Sequence, residues 1–344
     1  MSAAAEHDLP GLDLEALDAF LRREGVEVRG ALRARLLSGG KSNLTFDVRD
    51  DASHWVLRRP PTAGLTPSAH DMAREFRVTR GLYETAVPVA RAVALCEDDA
   101  VMGAPFAVTE YVSGPVVRMK QDLEAFGDAE LDGVVDELVR VLAELHAVDY
   151  AACGLGEFGR PDGYVTRQVA LWAKQWERVK ADDLPDIDRL HMLLAESIPQ
   201  QSASSIVHGD YRIDNTILDG DGSVAAVVDW ELSTLGDPLT DVALMCVYRD
   251  PALDLVLGEP AAWTSERLPS PDDLAERYSR ASGRTLDNWQ FYLGLAHFKM
   301  AVIAMGIDHR YRAGATVGSG FDTAGSAVPE FAARGLAALR SVSS

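Results

Sequence analysis

With 344 residues, 47% of them hydrophobic and 25% charged, the chain can bury a sizeable core and fill two lobes. A net charge of −20 disfavours nonspecific DNA or RNA binding, which demands a dense basic patch. Cys96, Cys153 and Cys246 stand far apart, in no metal-ligand spacing, as expected of thiols in a reduced cytoplasmic protein. Met1 to Pro10 has no basic-then-apolar leader pattern, and no window approaches a membrane-spanning apolar run.

Leu14, Leu17, Phe20 and Leu21 recur at helical spacing with Gly25 just beyond, so a short amphipathic helix opens the fold and packs on the first lobe. From Leu36 to Val48 the pattern reads strand, glycine turn, alternating strand. Gly39, Gly40, Lys41 and Ser42 form the turn, where glycines let backbone N–H groups approach a phosphate. A Walker A loop is excluded: position 35 is Arg35 where that motif needs glycine, and the following segment alternates like a strand. His54 to Arg59 is a strand stopped by Pro60 and Pro61, with Val56 and Arg58 on one face. A helix is expected from His70 to Tyr83 with Met72, Phe76, Thr79 and Leu82 inward, then strands at Val87–Leu95 and Ala104–Val112. Beyond Asp128 the chain turns helical. Val134 to Leu145 forms a broad apolar stripe ending at His146, a structural histidine. Further helices run from Tyr164 to Lys180, Asp272 to Arg280, Asn288 to Ile307 and Pro329 to Arg340. Val165, Val169, Trp172 and Trp176 share one side of the first of these, as core or as the wall of a groove.

The most informative stretch is Ile206-Val207-His208-Gly209-Asp210-Tyr211-Arg212-Ile213-Asp214-Asn215, followed by a hairpin that ends on Asp229-Trp230-Glu231. A carboxylate on a rigid loop can accept a proton from an attacking hydroxyl. An amide oxygen and a second carboxylate nearby can hold Mg²⁺, which takes hard oxygen ligands from one or two protein groups and from substrate phosphates. Gly236-Asp237-Pro238 then starts a helix, with Asp237 and Asp241 expected to brace the loop.

These forms, His-Gly-Asp-x-x-x-x-Asn and Asp-Trp-Glu, resemble the catalytic and metal-binding loops of the aminoglycoside phosphotransferase branch of kinase-like enzymes. Val-Leu-Arg-Arg-Pro-Pro together with Gly-Asp-Pro is similar to the kinase domains associated with acyl-CoA dehydrogenases. The resemblance implies an α+β, bilobal, protein-kinase-like fold. Residues 1–112 would form an antiparallel N-lobe with the nucleotide loop and hinge, and residues 113–344 a mainly helical C-lobe with the substrate groove. It implies ATP and Mg²⁺ as cofactors. Asp210 would act as base and Arg212 would stabilise transferred charge, with Asn215 and Asp229 on the metal. Gly39 to Ser42 would cover the phosphates, Val56 would touch adenine, and Arg58 would stand where kinases carry lysine, paired with Glu75. The Glu110 carbonyl and Val112 N–H would meet the adenine edge. The function expected is phosphoryl transfer from ATP to a small-molecule hydroxyl, with a hydroxyacyl-type acceptor. Antibiotic O-phosphorylation and a non-catalytic nucleotide-binding module are the alternatives. No nucleic-acid or membrane partner is expected, and the sequence is silent on oligomeric state.

Overall fold

The structure, a computed structural model, describes residues 9–37, 43–61, 71–180, 184–315 and 320–340. The chain forms two compact units, one of residues 1–113 with Val228–Glu231, the other of residues 114–227 with 232–344.

The first unit runs α1 (Leu14–Arg23), β1 (Arg33–Leu36), β2 (Leu44–Arg49), β3 (His54–Arg59), α2 (Met72–Leu82), β4 (Ala92–Cys96), the single turn α3 (Asp99–Met102) and β5 (Phe106–Glu110). The sheet order is β1-β2-β3-β5-β4, with every neighbouring pair antiparallel. Period-two alternation along β3 sends Trp55 and Leu57 into one core, where they meet Leu17, Phe20 and Leu21 of α1. Phe20 packs edge-on against Phe106 with ring centroids 4.9 Å apart. The alternate residues of β3, His54, Val56 and Arg58, stand on the opposite face. Helix α1 is capped by the Asp13 carboxylate, which accepts from the Glu15 and Ala16 N–H groups.

The second unit begins with α4 (Asp128–Ala147), α5 (Tyr164–Val179) and α6 (Pro185–Glu196). Four short strands follow: β6 (Ser205–Val207), β7 (Thr216–Leu218), β8 (Val224–Val227) and β9 (Thr234–Gly236). They pair as two antiparallel ribbons, β6 with β9 and β7 with β8. Helices α7 (Pro238–Val247), α8 (Ala252–Leu257), α9 (Pro271–Ser282), α10 (Trp289–Arg312) and α11 (Val328–Arg340) complete the unit.

Several expectations from sequence are corrected. Strand β4 starts at Ala92 instead of Val87. The buried side of α2 is Met72, Glu75, Val78, Thr79 and Leu82, while Phe76 is only half-buried. Glu75 turns inward because a counter-ion lies beneath it. Helix α6 was not foreseen; Pro185 opens it, and Ile187, Leu190 and Leu194 are its buried face. Helix α10 is long and apolar enough, by length and composition alone, to cross a membrane, so the statement that no window approaches this does not hold. Its most apolar stretch is 67% buried within the protein, as in the core helix of a globular fold.

Candidate functional site

In the second unit, β6 delivers the chain into a tight loop, His208 to Arg212, closed by a 3₁₀ turn at Ile213–Asn215. Gly209 sits at φ +86°, and a Cβ there would lie 2.9 Å from the Leu232 carbonyl oxygen, so only glycine fits. Asp241 on α7 holds the loop by accepting the His208 N–H at 2.5 Å and the Gly209 N–H at 2.8 Å. His146 stands 3.3 Å from the same carboxylate and shares its other nitrogen with the Tyr278 hydroxyl at 2.7 Å, a buried structural role. Burial pushes the Asp241 carboxyl up, but the hydrogen bond and charge of His146 and the contacts with His208 outweigh it and hold the group ionised. His208 shapes the loop by accepting the Asp210 N–H on Nδ1 at 3.2 Å. Tyr211 anchors it from below, donating to the Leu138 carbonyl at 2.8 Å.

Asp237 does not brace this loop. It caps α7 by accepting the Leu239 N–H, and ties in Ser202 and the Tyr292 hydroxyl at 2.8 Å. It directly follows β9 and precedes α7, and its side chain turns to the segment ahead of β6.

The loop presents Asp210. Its Oδ1 accepts the Tyr248 hydroxyl at 2.5 Å, and its Oδ2 accepts the Asn215 amide N–H at 3.0 Å. The Asn215 nitrogen also donates to the Asp210 carbonyl at 2.7 Å, which turns the amide oxygen the other way, the orientation a hard cation requires. Arg212 lies between two acids, with Nε 3.4 Å from Asp210 and Nη1 3.2 Å from Asp214, and its guanidinium over the Tyr248 ring at 5.3 Å. Burial alone would raise the Asp210 carboxyl; the Arg212 charge and the Tyr248 hydrogen bond prevail and keep it below its ordinary range. Burial pushes the Asp214 carboxyl up to about 6, with the charge of Arg212 the main opposing influence and that of Asp210 adding to the rise. Arg212 is desolvated, yet the charges of Asp210 and Asp214 hold it protonated.

In the first unit, Arg58 on β3 is clamped between two acids: Glu75 on α2 at 2.8 Å and Asp229 at 3.2 Å. Asp229 takes the left-handed conformation, φ +66°, that aspartate tolerates better than most residues. Burial pushes the Glu75 carboxyl up to about 7, with Arg58 opposing. At the end of β5, Glu110 pairs with Arg91 at 3.0 Å, and the Tyr111 N–H goes to the His54 carbonyl at 3.0 Å. Strand alternation therefore aims the Glu110 carbonyl and the Val112 N–H away from β3.

Of the residues singled out from sequence, Asp210, Arg212 and Asn215 are brought together in the second unit, and Val56, Arg58, Glu75 and Asp229 in the first. Glu110 and Val112 lie at the first unit's end. Gly39, Gly40, Lys41 and Ser42 fall outside the described residues. Among the described residues no cluster of three or more His, Cys, Asp or Glu could hold a metal alone. Two neighbours of Asp210 escaped sequence reasoning: Tyr248, and Lys299 of α10, whose ammonium donates to the Gly209 carbonyl at 3.0 Å. Neither lies in a recognisable pattern.

Residues 33–292 match the phosphotransferase enzyme family. The chain belongs to that family. It is 33% identical over 311 residues to acyl-CoA dehydrogenase family member 11 of Homo sapiens, covering 88% of this chain and 40% of the relative. With family member 10 of Mus musculus it shares 33% over 302 residues, 86% of this chain and 28% of that one. The phosphotransferase thus spans two fifths or less of the length of these curated relatives. Among solved structures, a Ralstonia eutropha protein provisionally named an aminoglycoside phosphotransferase superposes with a TM-score of 0.82 at 35% identity, over 96% of this chain and 98% of that one. A thermostable aminoglycoside phosphotransferase APH(4)-Ia shares the kinase-like fold at 17% identity, with a TM-score of 0.61 over 96% and 99% of the two chains.

Proposed function

We propose that this phosphotransferase moves the γ-phosphate of ATP to a hydroxyl of a small molecule, with a hydroxyacyl-type acceptor. The observation that carries the reading is Asp210, a carboxylate kept ionised by Arg212 and oriented by Tyr248 and Asn215. An ionised, immobilised carboxylate is what a hydroxyl needs in order to lose its proton while it attacks. In this reading the acceptor oxygen bonds to the γ-phosphorus and its proton passes to Asp210. The bond from phosphorus to the β,γ-bridging oxygen breaks, and ADP departs. Arg212, a buried cation two residues on, offsets charge on the transferring group. Arg58 meets the inner phosphates, fixed by Glu75 and Asp229. Gly39 to Ser42 cover the phosphates, Val56 contacts the base, and the Glu110 carbonyl and Val112 N–H read its edge. In this reading residues 1–112 hold the nucleotide base and inner phosphates, and residues 113–344 carry the catalytic base, the metal ligands and the acceptor groove.

Asn215 and Asp229 are the proposed Mg²⁺ ligands; the turned amide oxygen of Asn215 and the second carboxylate oxygen of Asp229 suit a hard cation. When bound, Mg²⁺ neutralises charge on the triphosphate. Solved relatives of the same fold support the nucleotide: APH(4)-Ia has been crystallised with ADP and hygromycin B and with AMP-PNP and hygromycin B. The hydroxyacyl acceptor rests on the similarity to acyl-CoA dehydrogenase family members. Free Cys96, Cys153 and Cys246 suit the proposed cytoplasmic residence.

The test is transfer from labelled ATP, screened across hydroxyacyl thioesters and aminoglycosides. Asp210→Ala should lower turnover by about 10²–10⁴ with the fold intact. Label on aminoglycosides alone would replace the acceptor class, and nucleotide binding without turnover on any hydroxyl compound would make the chain a regulatory module.

A further inference from the structure

Beside the catalytic loop, wholly within the second unit, lies a cavity lined by Gln168 and Trp172 of α5, Leu244 of α7, and Tyr292, Leu295 and Lys299 of α10. Its wall sets aromatic and aliphatic carbon from Trp172, Leu244 and Leu295 beside polar groups from Gln168, Thr240, Asp241 and Lys299 in about equal measure. The one acid on the lining is Asp241, whose oxygens are already committed to the His208 and Gly209 N–H groups and to His146. The cation is differently placed. Lys299 is half-buried, its ammonium 5.6 Å from the centre of the Trp172 ring. Among the described residues it makes a single hydrogen bond, to the Gly209 carbonyl, although an ammonium carries three donors. Burial lowers its pKa, with Asp210 and Asp241 opposing.

We infer that this cavity is an acceptor subsite for an oxygen-bearing acidic or carbonyl group, a carboxylate or an acyl C=O, which the remaining N–H donors of Lys299 bind. Gly209 precedes Asp210, so a group seated on Lys299 places a hydroxyl a few atoms away along the same molecule near the base. A polycationic amino sugar would find a cation with donors to spare here, and on this lining only the already hydrogen-bonded Asp241 carboxylate. The inference rests on the proposed transfer to a hydroxyl and adds what the acceptor must carry beside it.

The experiment uses the full chain and four probes of equal carbon length, with Kd measured by NMR titration without nucleotide. The probes are 3-hydroxybutyrate, 4-hydroxy-2-butanone, 1,3-butanediol and 4-amino-2-butanol. The carboxylate or the ketone should bind at least about tenfold more tightly than the diol, the scale of one charge-assisted hydrogen bond, and the amine weakest. Whether the acid or the ketone leads decides between the two oxygen sources. Lys299→Met, similar in volume and uncharged, should erase that preference. If it fails to fold, Trp172→Leu, at a half-buried helix position, should weaken the carboxylate and ketone probes alike. Carboxylate binding equal in wild type and Lys299→Met, an amine that binds as well as the acid, or no binding of any probe to wild type overturns the inference. Lysine-dependent binding with no phosphoryl transfer to any hydroxyl would keep the subsite and remove the phosphotransfer reading. Transfer with lysine-independent binding would do the reverse.

Discussion

Removing Arg58 should give a stability loss that grows with pH. Arg58→Met leaves Glu75, with a side chain 9% exposed, without the guanidinium 2.8 Å away. Unit charges about 4 Å apart at an effective dielectric of about 20 attract by roughly 4 kcal/mol, so the Glu75 carboxyl should rise by about two pH units or more. In the wild type that carboxyl is pushed by burial to about 7, above its ordinary 4.5. Its contribution is therefore fully favourable below pH 4.5 and is lost as pH rises through 7. In the variant the loss continues beyond 7. Near pH 6 Glu75 is mostly protonated in both proteins and the variant should cost little on its account. Near pH 9 it should be about 2 kcal/mol worse than at pH 6. Urea denaturation at the two pH values measures this, and adding Glu75→Gln to Arg58→Met should flatten the dependence. A penalty equal at pH 6 and pH 9, or one that Glu75→Gln leaves unaltered, would refute the pairing argument.

Tyr248→Phe deletes the 2.5 Å hydrogen bond to Asp210 and should slow transfer by about 10–100-fold with the KM for MgATP unchanged. In an Asp210→Asn background the same change should do little more, and full additivity of the two losses in steady-state rates would deny that Tyr248 acts through Asp210. Gly209→Ala forces a Cβ to 2.9 Å from a backbone oxygen at φ +86°, so denaturation should show a loss of about 1–3 kcal/mol, where a loss near zero would mean the loop can shift freely. At Asp229, φ +66°, glycine should be more stable than alanine by about 1 kcal/mol while both weaken MgATP binding in calorimetry; equal stability would show that the left-handed backbone is not held.

The fold was legible where a local pattern and its burial coincide. Leu17, Phe20 and Leu21 announce α1 because one helical stripe meets one sheet face. The opposite face of β3 was legible as geometry, since Val56 and Arg58 must share it, and the family resemblance, not the hydrophobic pattern, named Glu75 as the partner that Arg58 meets. A glutamate inside a helix ordinarily faces water, and only the arginine from another element makes burial of Glu75 affordable. The error over Phe76 follows from that: a hydrophobicity pattern cannot see an ion pair, so it turned α2 toward the apolar residue next door.

The site divides in the same way. Asp210 and Asn215 were readable because they share one loop, five residues apart, and the second bonds back to the first. Tyr248, at the end of α7, and Lys299 on α10 reach that loop from 38 and 90 residues downstream of the groups they touch, and the periodicities of those helices speak only of packing. The backbone marks the division too. At Gly209 the loop needs a left-handed turn and no side chain, since any Cβ would strike Leu232, and glycine meets that need without strain. At Asp229 the same backbone region is used although a carboxylate must be present for Arg58, so the chain carries a conformation that costs aspartate about 1 kcal/mol. Glycine at the first position and aspartate at the second are visible in the sequence. What the sequence does not show is that both are left-handed, and that one has given up its side chain for the turn while the other keeps it against the turn.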